Sequence, residues 1–159
     1  MAARFKFRLE GLLKLRRSLE EEAQRELARM IALGQAAAAK LEELRRTQAD
    51  TVDGRRLAPN QVVDLERLRA TERYLLVVER RIQWAEQELR EAEQRVAEAR
   101  LALVKAHQDH LMLQRLKERR LEQHNQERQL EEVKDMDEIA VLRHRLGRPN
   151  APSHPEVAP

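Results

Sequence analysis

The sequence predicts an all-α protein: two long helices in an antiparallel coiled-coil hairpin, the second extending beyond the first, with a disordered Pro-rich C-terminal tail. Three observations lead there. Large apolar residues return at every seventh position at Leu68, Leu75, Ile82, Leu89, Val96 and Leu103, with a second row three residues behind at Val78, Ala85, Ala92, Ala99, Ala106 and Leu113. That is an a/d heptad kept for about six repeats. Of the 159 residues, 37% are charged and 3% aromatic, and only four are Gly, a composition of long helices. Turn residues interrupt the helix-forming pattern once, near Asp53-Gly54 and Pro59, well before Gly147.

The first helix is expected over about 5–52. Its residues are strong helix formers, and Leu9, Leu12, Leu13, Leu19, Ala23, Leu27, Met30, Ala37, Leu41 and Leu44 fall on one stripe. Glu21 with Arg25 and Glu42 with Arg46 place acid four residues before base on exposed faces, each pair worth about 0.3 kcal/mol. Gly34 inside the stripe costs about 1 kcal/mol relative to Ala, which suggests close approach of another backbone. The turn is expected at 53–58, with Gly54 in the left-handed position that ends many helices.

The second helix is expected from about 59 to 146. Pro59 suits its first position, Gln61 its third, and Leu57 with Val62 would form a hydrophobic staple, although Ala58 is a poor N-cap. No breaker follows until Gly147 and Pro149, and Arg143, His144 and Arg145 place positive charge in the last turn, where it suits the helix dipole. The hairpin thus occupies 1–147, and 148–159 reads as the tail.

A short turn makes the two helices antiparallel neighbours. With Thr51 opposite Gln61, the expected layers are Leu44 on Leu68, Ala37 on Leu75, Gly34 on Val78, Met30 on Ile82, Leu27 on Ala85 and Ala23 on Leu89. Small meets large in most of them, as close packing requires. Arg16 opposite Val96 is the weak layer, and its stem would snorkel. The same register brings Leu9 to Leu103 and Phe5 near His107, so that residues after about His110 have no intrachain partner.

Composition excludes most chemistry. Thirty-one Lys and Arg balance 28 acids to a net charge of +3, both signs are interleaved, and aromatic residues for base stacking are nearly absent, so no nucleic-acid partner is expected. There is no cysteine, hence no disulfide or thiolate metal site. No stretch approaches the roughly 18 apolar residues of a membrane span, and the N-terminal segment lacks the apolar run of a signal peptide, so a cytoplasmic protein is expected. His107 and His110 are two ligands, too few for a structural zinc site. Glu20, Glu21 and Glu22 read as a solvated charge run. The glycines are scattered, Ser18 and Ser153 have no neighbouring base, and a hairpin offers no concave pocket, so neither enzyme activity nor a cofactor is expected.

Function is expected where the heptad fails. From Lys117 to Glu132 only Leu121 and Leu130 are apolar, and apolar residues then return at Val133, Met136, Ile139, Ala140 and Leu142, a short docking face on a polar helix. The hairpin tip, with Gln48, Arg55 and Arg56, is the other candidate contact surface.

Both ends of the chain carry a family resemblance. The block from Phe5-Lys-Phe-Arg-Leu9-Glu-Gly-Leu-Leu13 to Arg16, followed by Glu20-Glu-Glu-Ala23 through Ala28, resembles the start of the flagellar export protein FliJ family. Leu113-Gln-Arg-Leu-Lys-Glu-Arg-Arg120 and Lys134-Asp-Met136-Asp-Glu-Ile139-Ala140 look like that family's later signatures, in the same order. The resemblance spans about Phe5 to Leu146. It implies a cytoplasmic, stalk-like antiparallel coiled coil of the type III export apparatus, peripheral to the membrane at the flagellar base and monomeric when free. The partners it implies are the hexameric export ATPase FliI, the export-gate protein FlhA and the export chaperones. Leu44, Gln48 and Leu68 stand where aromatic gate-binding residues would be expected. A virulence-type secretion counterpart and an unrelated self-associating scaffold are the alternative readings.

Overall fold

The computed structural model describes residues 4–56 and 62–147 of the chain. Among the described residues there are two helices and no strand: α1, Glu10–Asp53, of 44 residues, and α2, Leu65–Leu146, of 82. The expected all-α architecture of two long helices packed together is therefore the one observed.

The helix ends differ from expectation in ways local chemistry explains. α1 begins at Glu10, not near residue 5, its first amide donating to the Phe7 carbonyl at 3.1 Å. Phe5 and Phe7 are weaker helix formers than the Leu, Lys and Arg that follow. At the other end Gly54 does not take a left-handed conformation. Instead its N–H continues the helical ladder to the Asp50 carbonyl at 2.9 Å, and Arg55 and Arg56 donate to Val52 and Asp53 at 3.1 and 3.0 Å. These last two are tighter three-residue turns, which satisfy carbonyls that the helix end leaves open.

α2 starts at Leu65, about six residues later than expected from Pro59. Asp64 is the reason. Its Oδ1 accepts from the Glu66 and Arg67 amides at 3.0 and 3.3 Å, an N-cap that Ala58 could not provide. Val62 lies outside the helix; its expected staple partner Leu57, with Pro59 and Gln61, lies outside the described residues, as does the tail after Gly147.

The chain divides into two compact units, one from Gly11 to Leu111 and one joining the residues up to Glu10 with those from Met112. In the first, α1 packs on α2 around a cluster of Leu41, Val78, Ile82 and Ala85, against which Leu44 and Leu89 also pack. Val78 and Ala85 are each 1% exposed, and Ala92 is buried as well. The heptad residues therefore line the seam, but their partners are not the expected ones.

The register is displaced by about two heptads. Ala85 packs with Leu41 instead of Leu27, and Gly34 faces Val96 instead of Val78. Polar bonds on both flanks agree: Lys40 Nζ to Glu88 at 2.9 Å, Arg45 to Glu86 at 2.9 Å, Gln48 Nε2 donating to Glu79 at 2.7 Å, and Arg55 to Glu72 at 3.3 Å. A later start of α2 moves every layer, and a slip by whole heptads keeps apolar against apolar. Complementarity of small and large residues could not distinguish the two arrangements, because alanine recurs in each heptad.

In the second unit, Glu10 reaches Lys117 Nζ at 2.8 Å, and the Phe5 ring lies 5.6 Å from the His124 ring. Phe5 thus meets His124 and not His107, and residues after His110 do have intrachain partners, as far as His124. Every described residue beyond it, from Asn125 to Gly147, is exposed.

Candidate functional surfaces

On α1 the positions facing the seam alternate by three and four: Leu13, Arg16, Glu20, Ala23, Leu27 and onward to Leu41 and Leu44, all buried or half-buried. Leu9, Leu12 and Leu19, expected on the stripe, are exposed. Two polar residues therefore occupy seam positions.

Glu20 is the central one. Its side chain is 14% exposed, and its two oxygens lie 2.7 Å from His107 Nδ1 and 2.5 Å from His110 Nδ1. The reading of Glu20 as part of a solvated charge run is corrected: Glu21 is on the exposed face, paired with Arg17 at 3.3 Å, while Glu20 turns inward. Hydrogen bonds from His107 and then His110 hold the Glu20 carboxyl below its ordinary value, against the opposing effect of burial. Beside it Arg16, expected to snorkel over Val96, meets Asp109 at 3.1 Å. A polar layer of this kind costs stability and singles out one register, because any slip would set these groups against apolar residues. The signal was present in the sequence: between Leu13 and Ala23 both seam slots are charged, and His110 occupies a seam slot on α2.

Among the described residues no cluster of three or more His, Asp or Glu side chains is arranged to hold a metal ion, and none of their buried side-chain polar atoms lacks a partner. No helix among them is long and apolar enough to cross a membrane.

Two exposed apolar faces stand out. The first is on α2 beyond His124, where Leu130, Val133, Met136, Ile139 and Leu142 are exposed, Met136 by 73%, with Ala140 between them. The second is Tyr74, Val77 and Trp84, three and seven residues apart on α2. Trp84 is 76% exposed and borders a shallow groove with Lys40, Leu44, Arg80, Arg81 and Glu88. Periodicity does not reveal this face, because Trp84 stands outside the heptad rows. Leu121 is marginally exposed. At the tip, Gln48 and Arg55 are engaged with Glu79 and Glu72, and Arg56 lies 3.9 Å from Asp53. Leu68, expected to face Leu44, instead lines a hollow with Thr51, Gly54, Arg55 and Val62.

The two helices thus share an apolar seam and carry further apolar residues on open faces. The flagellar FliJ protein family model matches residues 5–148. The chain belongs to that family, which places it with the flagellar type III protein export apparatus. No curated protein and no solved structure matches it.

Proposed function

We propose that this chain is a non-enzymatic, stalk-like coiled-coil component of the flagellar export apparatus, acting in the cytoplasm at the membrane-proximal flagellar base. Its partners in this reading are the FliI ATPase ring, the FlhA gate and the export chaperones. Family membership supports the apparatus. The observation that carries the contact role is the bare apolar face from Leu130 to Leu142, which no intrachain residue covers among those described. Exposed Met and Ile surrounded by charge suit a helix that lies in a partner's groove and exchanges readily.

The Gly11–Leu111 unit supports this reading over a self-associating scaffold. Its seam is filled by α1, so the heptad row through Val78, Ile82 and Ala85 is not available to recruit a second copy. Residues Leu121, Leu130, Val133, Met136, Ile139, Ala140 and Leu142 are assigned to partner contact, with Gln48, Arg55 and Arg56 at the tip in a secondary role.

Adding the purified chain to the cognate export ATPase is expected to raise its activity or its hexamer formation. Met136→Asp with Ile139→Asp is expected to weaken capture of the ATPase or the gate protein while leaving the helical circular dichroism intact. Unchanged capture of both partners by the double variant would show that this face is not the contact surface.

A further inference from the structure

The charged residues of α2 between Leu65 and Glu88 are sorted around the helix. Glu72, Glu79 and Glu86 lie on one flank, where they meet Arg55 at 3.3 Å, Gln48 at 2.7 Å and Arg45 at 2.9 Å. Glu88 lies on the other flank, 2.9 Å from Lys40. The pairing across the hairpin draws these carboxylates away from the side of α2 that is turned from the seam. That side carries Leu65, Arg69, Arg73, Leu76, Arg80 and Trp84. At 3.6 residues per turn the six fall within about 100° of arc, opposite Val78 and Ala85, along about 28 Å of helix.

We propose that this outward ridge of α2 is a docking surface for an anionic lipid bilayer, with the guanidinium groups on headgroup phosphates and the apolar side chains in the acyl boundary beneath them.

Charge is the first ground. None of the three arginines makes an ion pair among the described residues. Glu66, at the edge, is the one carboxylate on the ridge, since the Asp64 side chain is engaged by the Glu66 and Arg67 amides. Three guanidiniums against one carboxylate leave the face positive, and guanidinium binds phosphate through paired donors. Apolar exposure is the second ground. Leu65 is 63% exposed, Leu76 67% and Trp84 76%, in line with the arginines. A nucleic-acid backbone matches the charge but has no apolar layer for these three. A bilayer with anionic headgroups supplies both, and helices that lie in its interface combine basic residues with Trp and Leu. The arginine stems can lie along the apolar layer while their heads stay at the phosphates, and an indole suits the same depth.

The chemistry of the ridge stands by itself, and only the particular membrane it would meet rests on the placement of this chain at the flagellar base.

Trp84 is the only tryptophan of the chain, so its fluorescence reports this face alone. The intact protein is titrated at about 0.1 M salt with vesicles of phosphatidylcholine and phosphatidylglycerol in a ratio of about three to one. The emission is expected to shift to the blue and the protein to sediment with the vesicles; phosphatidylcholine vesicles alone are expected to do neither. Arg69→Gln with Arg73→Gln and Arg80→Gln is expected to weaken vesicle binding about a hundredfold. Arg17→Gln with Arg25→Gln and Arg29→Gln, which removes the same charge from the exposed side of α1, is expected to change it little. Circular dichroism is expected to stay helical in both triple variants. Absence of binding, equal binding to the two kinds of vesicle, equal weakening by the two triple variants, or a blue shift with polyglutamate or a DNA duplex and none with vesicles would overturn the proposal. No export protein is present in this assay, so its failure is separate from that of the stalk reading, which capture of the ATPase and gate protein tests.

Discussion

Gly34 of α1 faces Val96 of α2, and a Cβ added to the glycine would stand 3.9 Å from the Val96 Cγ2 methyl. That is ordinary van der Waals contact, with no other side-chain or partner-backbone atom within reach. The close backbone approach suggested by a glycine in a helical stripe is absent. Gly34→Ala is therefore expected to stabilise the protein by about 0.5–1 kcal/mol, through helix propensity and a less flexible unfolded chain. Urea denaturation followed by circular dichroism checks the sign.

The same contact separates the two registers that the heptads permit. The chain contains no cysteine, so introduced pairs can be read without background. Gly34→Cys with Val96→Cys is expected to cross-link on oxidation, because the two positions are in contact across the seam. Gly34→Cys with Val78→Cys is expected to stay reduced, since Val78 packs with Leu41 further toward the tip. Efficient closure of the second pair and not the first would mean that the helices are set about two heptads away from the arrangement described.

Asp64 places the start of α2, and with it the register. Its side chain satisfies the amides of Glu66 and Arg67. Asp64→Ala is expected to cost about 1 kcal/mol, while Asp64→Ser or Asp64→Asn, which also cap well, cost only a fraction of that. Thermal unfolding of the three variants gives the order. Loss of protection confined to the first turn of α2 would accompany the Ala change.

Much of this molecule was legible in the order of its residues. The two helices and the seam positions of α2 from Leu68 to Leu103 follow from a period that only one side of a helix can satisfy. Breakers marked two of the helix ends: α1 stops at Asp53, just before Gly54, and α2 stops at Leu146, just before Gly147. The start of α2 was decided by a cap instead, and Asp64 is a stronger signal than Pro59 because it satisfies amides that Pro59 leaves open. The exposed face around Met136 and Ile139 was legible because apolar residues spaced three and four apart reappear in a polar stretch.

The pairing was not legible from periodicity, because a heptad pattern is unchanged by a slip of one whole repeat. What breaks that degeneracy is the length of the connection and the few polar residues inside the seam. Glu20 belongs to an acidic run by sequence and to the helix–helix seam, half-buried, by structure. Only the packed arrangement shows that the carboxylate lies between His107 and His110, on residues 87 and 90 positions away. The sequence by itself determined that there would be two helices and which side of each would be apolar, since those are local properties of a repeating pattern. Tertiary structure alone decided which layer meets which, because the apolar rows are interchangeable and the charged layer is satisfied in one register.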